Sequence, residues 1–370
     1  MVDPFYFPSS TPAVASAVQV ISFPTPATVW QLDSQKTARI KANANNTFLT
    51  IFSYSVCNRR KNWFYNNNRG IICKNFKYFD KIIQVLSVLP DMIYYIWQAD
   101  SLKNLTFYTE KLHIMKVASF NVNSLRVRLG TVLDWLAEHQ PDILAVQETK
   151  VQDSDFPTEA FDKIGYKYAF KGEKSYNGVA LFSKTRISNV ESGFPDEPKD
   201  QPRLIKAEIN GIVIVNTYIP QGYRPESQRF DYKLNWFHRL RVFFENNFAP
   251  TDPILWVGDF NVAPLPIDVY DPEYFLGHVC FHPDVHRALD EVMQWGFVDV
   301  FRIHCREAGQ YTFWDFQLPN AFKRNLGWRL DHIMATQPLA EKSTNSYIDK
   351  KPRLATRPSD HTPIIAEFDV

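Results

Sequence analysis

The chain has 370 residues, 45% of them hydrophobic and 22% charged, with a formal net charge of +1. This is enough for one large or two ordinary domains with buried cores, and it argues against wholesale disorder and against an integral membrane bundle. The four cysteines, Cys57, Cys73, Cys280 and Cys305, lie far apart without a CxxC pair, which excludes a disulfide framework and predicts a reducing, cytoplasmic setting rather than secretion.

The near-neutral total conceals two unlike parts. Residues 1–114 carry 12 Lys/Arg against 6 Asp/Glu, whereas 115–370 carry 29 against 34. Of the 13 glycines only Gly70 precedes residue 115. A globular segment of that length would hold roughly eight, and without them few turns reach positive φ at low cost. The segment opens with a Ser/Thr/Pro/Ala-rich stretch, Pro8 to Thr28, and continues with ten asparagines and two apolar runs, Phe48–Cys57 and Ile82–Trp97. The second run is broken by Pro90 and Asp91 and falls short of the ~20 residues a membrane helix needs. Asp3 without an early Lys or Arg does not suit a secretory signal, and a first arginine at Arg39 does not suit a transit peptide. Residues 1–114 are expected to be an over-extended reading frame or a poorly ordered extension, with Met115 opening the single domain 115–370.

From Met115 strand and helix signals alternate. Val117–Phe120 predicts a short strand, and Leu125, Leu129, Val132 and Leu136 then recur at helical spacing, with Pro141 beyond the helix. Ile143–Val146 and Gly178–Phe182 read as buried strands. Leu204–Ile209 and Ile212–Thr217 flank Asn210-Gly211, the dipeptide of a tight hairpin. A helix is predicted over Glu226–Asn246, a strand over Ile254–Val257, and a helix over Pro283–Trp295 with proline suitably at its start. Strands over Leu330–Ala335 and Ile364–Phe368 complete the domain. Hairpins mixed with crossover helices imply an α/β layered sandwich.

Polar side chains cluster where the apolar strands stop. Asn121 and Asn123 follow Phe120, Gln147-Glu148-Thr149 follow Val146, and Asn216-Thr217-Tyr218 follow Val215. Gly258-Asp259-Phe260-Asn261 follow Val257, Asp331 follows Leu330, and Ser359-Asp360-His361 lie near the C-terminus. Ligand sites in α/β sheets form at strand ends, so these pieces are expected to converge on one site. Hard carboxylate oxygens with a single imidazole suit Mg²⁺ or Mn²⁺ better than zinc. Asn, His and Tyr can donate hydrogen bonds to a phosphate, and a carboxylate behind a histidine fixes its tautomer. The residue types point to metal-assisted hydrolysis of a phosphodiester or phosphomonoester.

The ordered set resembles a known superfamily. It comprises Ser119-Phe120-Asn121-Val122-Asn123-Ser124-Leu125-Arg126, Gln147-Glu148-Thr149-Lys150 and Asn216-Thr217-Tyr218-Ile219-Pro220-Gln221-Gly222. Gly258-Asp259-Phe260-Asn261, Thr312-Phe313-Trp314-Asp315, Gly327-Trp328-Arg329-Leu330-Asp331 and Ser359-Asp360-His361 follow. These motifs are similar to those of the endonuclease/exonuclease/phosphatase superfamily, specifically the exonuclease III type of abasic-site (AP) DNA endonuclease. The resemblance runs from Met115 to Val370. It implies two mixed sheets flanked by helices, a Mg²⁺ cofactor for which Mn²⁺ can substitute, and a monomer acting on double-stranded DNA at abasic sites or 3′ ends. The implied activities are incision 5′ to abasic sites, 3′-to-5′ exonuclease and 3′-phosphatase or phosphodiesterase, in base excision repair.

By the same resemblance Glu148 is the principal metal ligand, supported by Asn121 and Asp360, with Asp259, Asn261 and His361 around the same metal. Asp259 orients or deprotonates the attacking water and Asn261 helps hold the phosphate. His361 contacts the scissile phosphate with Asp331 behind it, and Tyr218 stabilises the phosphate or the leaving group. Asp259 and the His361–Asp331 pair remain alternatives for the base. Asn123 stands where relatives carry Asp and is not counted as a ligand. Phe313, Trp314, Trp328 and Leu330 match an apolar slot for a base-less sugar, with either Phe313 or Trp314 as its wall. Arg126, Arg128, Arg203 and Gln221 are expected to contact DNA.

Tyr218 replaces a histidine found in members resembling pancreatic deoxyribonuclease I, sphingomyelinases and inositol polyphosphate phosphatases. It therefore opposes the rival reading, a phosphoesterase acting on inositol phosphates or sphingomyelin-like lipids. The cluster His278-x-Cys280-x-His282-x3-His286 has zinc-ligand residue types but neither a CxxC nor a second cluster, and no structural zinc is expected there.

Overall fold

The computed structural model describes residues 38–41, 50–53, 63–66, 70–73, 114–196 and 201–370. The chain divides into two units, Met1–Lys111 and Leu112–Val370. In the first, β1 (Ala38–Lys41) pairs antiparallel with β2 (Thr50–Ser53), and β3 (Trp63–Asn66) with β4 (Gly70–Cys73). The expectations for residues 1–114 as a whole, the run Ile82–Trp97 among them, lie outside the described residues. Among the described residues no helix is long and apolar enough to cross a membrane.

The second unit is built on two six-stranded mixed sheets. One contains β5 (Ile114–Asn121), β6 (Ile143–Gln147), β7 (Lys167–Lys171), β8 (Val179–Ser183), β15 (Ser343–Ile348) and β16 (Ile364–Asp369), in the order β15-β16-β5-β6-β8-β7. The other contains β9 (Ile187–Ser192), β10 (Leu204–Ile209), β11 (Ile212–Tyr218), β12 (Ile254–Asp259), β13 (Phe297–Asp299) and β14 (Asp331–Thr336), in the order β13-β14-β12-β11-β10-β9. Alternate residues of each central strand face opposite layers. Ile143 and Ala145 meet Ile214, Leu255 and Val257 between the sheets, while Leu144 and Val146 face outward to Leu125, Val132 and Leu136 of α1 (Leu125–His139). On the far side, Trp236, Phe237 and Phe244 of α3 (Gln228–Asn247) pack on Val215 and Trp256. The short α2 (Thr158–Asp162) and α4 (Pro283–Met293) complete the helical layers. Strands covered on both faces are continuous apolar runs, which is why β6 and β12 stand out in the sequence.

The predicted central strands are all present, and β6, β11 and β12 continue past the apolar run to Gln147, Tyr218 and Asp259. The backbone ladder carries them on: β11 runs parallel to β12 with Tyr218 opposite Asp259. The helix predicted from Glu226 starts at Gln228, because the Ser227 hydroxyl accepts from the Phe230 N–H and caps it. The strands not anticipated, β7, β9, β13 and β15, are the four sheet edges. Edge strands are short or polar on their open side, as in the Ile187–Ser192 and Ser343–Ile348 segments, and so lack an apolar run to read. Asn210 and Gly211 both take positive φ, 53° and 77°, as a two-residue hairpin requires. Gly258, at φ 138°, has no room for a side chain: a Cβ there would lie 1.9 Å from the Thr217 carbonyl oxygen.

Topology then places the site. The parallel pairs β5–β6 and β11–β12 send their C-terminal ends to one edge of the sandwich. The antiparallel neighbours β14 and β16 begin at that edge, with Asp331 opposite Asp259 and Ile364 opposite Ser119. The layers are also bolted together by a buried polar bridge. Asn216 of β11 donates to the carbonyls of Val146 (3.0 Å) and Ala180 (2.9 Å) in the other sheet, and its Oδ1 accepts from the Gln147 amide at 2.8 Å. Asn216→Ala leaves these groups buried without a partner and is expected to cost about 2–4 kcal/mol of stability. Urea unfolding measures this; a loss below about 1 kcal/mol contradicts the bridging role.

Candidate active site

Asn121, the last residue of β5, is the hub of the site. Its Nδ2 donates to Glu148 Oε1 at 2.8 Å and to Asp259 Oδ2 at 2.8 Å, so one amide joins a carboxylate of its own sheet to one from the facing sheet. Glu148 (φ 52°) and Asn261 (φ 51°) adopt the left-handed region immediately beyond their strands. Non-glycine residues there are strained by about 1–2 kcal/mol. The other Asp259 oxygen accepts from the Asn261 N–H at 2.9 Å. Asp259 is fully buried, and burial, with the Asp331 charge nearby, raises its carboxyl pKa against the opposing pull of His361.

His361 lies between carboxylates. Its Nδ1 is 2.7 Å from Asp331 Oδ2 and its Nε2 is 3.8 Å from Asp259 Oδ2. Burial alone would lower the imidazole pKa, but Asp331, Asp259 and the hydrogen bond to Asp331 outweigh it and hold the ring as a cation. Asp331 is set by Thr312, whose hydroxyl accepts the N–H groups of Leu330 (3.0 Å) and Asp331 (3.1 Å). Tyr218 stays protonated: burial and the carboxylates of Glu148 and Asp259 push its phenol well above the usual range.

Glu148, Tyr218, Asp259, Asn261 and His361 line one cavity of about 560 Å³ together with Phe313, Trp328 and Leu330. Phe313 is the aromatic wall beside the chemistry, its ring centroid 4.9 Å from that of His361. Trp314 does not line the cavity. It is fully buried, packed with Tyr311, Ala321 and Phe322 and covered by Lys350 and Arg353. Consecutive residues of an extended segment point to opposite sides, so only one of the two could face the site.

The other expected contacts have these surroundings. Asn261 lines the cavity and donates its amide to the Ile219 carbonyl (2.9 Å) and to Asp259 (3.4 Å), which braces Asp259. Arg128 clamps the carbonyls of Asn123, Arg357 and Pro358, which ties these loops together. Arg203 stacks 4.6 Å over the Tyr218 ring and donates to the Tyr218 carbonyl at 3.3 Å, acting as a brace. Gln221 lines the cavity but its Oε1 accepts from the Tyr223 N–H. Arg126 is exposed on the first turn of α1. The residues of the zinc-like cluster have local partners: His278 Nδ1 accepts from the Cys280 N–H, His282 Nδ1 caps α4 at Asp284, and His286 Nε2 meets the Ala263 carbonyl.

A hard cation fits this donor set. Among the described residues Glu148, Asp259 and His361 form a cluster whose candidate ligand atoms lie within 4.8 Å of one another. The carboxylate oxygens of Glu148 and Asp259 supply the hard donors of this cluster, with the His361 ring beside them. Asp360 lines the cavity but stands outside the cluster, its Oδ1 accepting from Asn123 Nδ2 at 3.0 Å. The Lys150 ammonium bridges Glu148 (2.7 Å) and Asn123 (2.6 Å).

Residues 118–361 match the model of the Endonuclease/Exonuclease/phosphatase family, and the chain belongs to that family. It is 32% identical over 267 residues to an exodeoxyribonuclease III of Haemophilus influenzae, spanning 69% of this chain and all of that protein. Among solved structures, an AP endonuclease from Archaeoglobus fulgidus is 48% identical with a TM-score of 0.68, covering 69% of this chain and 100% of that one. The 3′ phosphatase NExo from Neisseria, bound to a product DNA hairpin, is 35% identical with a TM-score of 0.67 and the same coverage. Within the family the chain is of the exonuclease III type, a hydrolase of the nuclease class.

Sequence reasoning passed over Lys233. Its ammonium is fully buried beneath the site and donates to the carbonyls of Asn261 (2.7 Å), Val279 (2.7 Å) and Gln221 (3.2 Å). Burial pulls its pKa down to about 8. The signal was there: Lys233 lies on the face of α3 that also carries Phe230 and Phe237, where helical spacing calls for an apolar residue. Lys233→Met strands three carbonyls and is expected to lower stability by about 2–4 kcal/mol in urea unfolding; an unchanged midpoint contradicts this bracing role.

Proposed function

We propose that the protein is a Mg²⁺-dependent DNA repair nuclease, with Mn²⁺ as a substitute ion, that hydrolyses the phosphodiester 5′ to abasic sites in double-stranded DNA. It also removes nucleotides and phosphates from 3′ ends, as a 3′-to-5′ exonuclease and 3′-phosphatase or phosphodiesterase, and works as a monomer with the cell's DNA in the cytoplasm. The observation that carries this reading is the adjacency, in one cavity, of the Glu148–Asp259–His361 cluster and the apolar wall of Phe313, Trp328 and Leu330. A phosphate at the polar end places the sugar of the same nucleotide against the apolar wall. A sugar without its base suits such a surface, because it hides no hydrogen-bonding edge there.

The residues divide the chemistry between them. Glu148, with Asp259 beside it, would hold the divalent ion, which supplies Lewis-acid neutralisation of phosphate charge when bound. His361 carries a proton on Nε2 toward the cavity while Asp331 holds Nδ1, so the imidazolium donates to a phosphate oxygen and stabilises charge that grows in the transition state. That leaves Asp259 as the acceptor of the water's proton, and the bonds from Asn121 and Asn261 fix where its oxygens point. Tyr218, locked in the protonated form, donates to the phosphate or to the departing oxygen. Asp360 and Asn123 support the rim.

A duplex with one abasic analogue tests the proposal. Incision is expected with Mg²⁺ and none with EDTA; cleavage in EDTA contradicts it. His361→Ala is expected to lower turnover by about 10²–10⁴-fold while DNA affinity changes far less. Equal losses of turnover and binding contradict the assigned role. Glu148→Ala is expected to raise the Mg²⁺ concentration needed for half-maximal incision by about tenfold or more, read from a metal titration of the same reaction.

A further inference from the structure

The cavity does not end at the wall expected to take a base-less sugar. Beyond Trp328 it continues into an aromatic recess formed by the 270–278 loop. Phe275 meets Trp328 edge-on at 4.8 Å, and Tyr270 (5.1 Å) and Tyr274 (4.8 Å) meet Phe275 in the same way. Tyr274 is 78% exposed yet lines the cavity. Leu318, Leu326, Gln317 and Asp315 line the same cavity. The whole volume, about 560 Å³, lies within the range of about 300–1,000 Å³ that encloses whole organic ligands and is larger than a stripped sugar requires.

The chemistry of the recess selects its ligand. No Lys or Arg is among the described residues lining the cavity, and Asp315 adds a negative charge at the recess. A phosphate is therefore confined to the His361 end, and whatever fills the recess is flat, uncharged and able to stack. An exposed tyrosine and a lining amide, Gln317, suit a nucleobase, whose π-face stacks on aromatic rings with little regard to sequence. We propose that the recess of Tyr270, Tyr274 and Phe275 is a base subsite, which receives the base of a nucleotide, 3′-terminal or turned out of the helix, whose phosphate lies at His361. It rests on the nuclease reading above and deepens it: the same site would take a complete nucleotide as well as a base-less sugar, and recess contacts would favour substrates that keep their base.

The test is a fluorescence titration of the full-length protein, in EDTA, with a duplex bearing an unpaired 3′-terminal 2-aminopurine, paired with a titration of the same duplex ending in a base-less residue. Stacking in the recess is expected to quench the 2-aminopurine. Tyr274→Ala, an exposed position, is expected to cut the quench and to reduce the preference for the base-bearing end at least fivefold. An unchanged preference and quench in that variant would overturn the subsite, as would equal loss of affinity for both ends, which marks Tyr274 as a contact to the DNA backbone. Incision of an abasic duplex with Mg²⁺, run alongside, separates the two ideas. Normal incision by the unaltered protein without any quench overturns the subsite alone, whereas a tyrosine-dependent quench without incision supports the subsite and contradicts the nuclease reading.

Discussion

Acidic groups buried at the joint between two sheets repel one another, and the architecture around the cavity is arranged to contain that repulsion. Asp259 and Asp331 face each other across the β12–β14 pair, and Glu148 is drawn toward Asp259 by the single amide of Asn121. Carboxylates in such a place are costly unless hydrogen-bonded and paired. Backbone N–H groups, the Asn121 amide and the His361 cation supply part of the compensation, and a divalent ion supplies the rest when bound. The crowding that makes the site expensive to fold also brings together hard oxygen donors of the kind a divalent ion prefers.

A second charged network lies behind the first and gives it a rigid back. Arg329 is fully buried and donates to both oxygens of Asp268 (2.6 and 3.0 Å) and to Asp299 at 2.7 Å. It also donates to His332 Nδ1 (2.9 Å), so the neutral His332 ring gives its Nε2 proton to the Val262 carbonyl at 2.9 Å. Burial and the Arg329 charge push His332 down to about 4, so it holds one tautomer at neutral pH. Val262 follows Asn261 and His332 follows Asp331, so this network fixes both strand ends from the side away from the cavity.

Most of this was legible in the sequence because it is local. A strand buried on two faces is an unbroken apolar run, and the polar residue at its boundary is visible: Asn121, Glu148, Tyr218 and Asp259 lie at or just past strand ends, while Asp331 opens β14 and His361 lies just ahead of β16. What was not legible depends on direction or on partners distant in the chain. Phe313 and Trp314 are neighbours of like composition, and only the pleat decides which one sees the cavity. The charge of Arg128 and Arg203 is visible in the sequence, but not the carbonyls of Asn123, Arg357, Pro358 and Tyr218 to which they donate. The four edge strands have no apolar signature because one side of each lacks a neighbour. Lys233 was hidden for the opposite reason: a cation on an apolar helix face looks like an exception until the three carbonyls it serves are brought beneath it.

The bridge from Asn216 to the carbonyls of Val146 and Ala180 has a further meaning for how the protein fails. Half of the reacting groups ride on one layer and half on the other, so their spacing is set by the alignment of layers and not by either alone. A slip of an ångström leaves every strand intact and the secondary structure unaltered, yet parts Asp259 from Glu148. Heating should therefore silence the protein before it melts, with the working centre acting as the most sensitive gauge of whether the two layers are still in step.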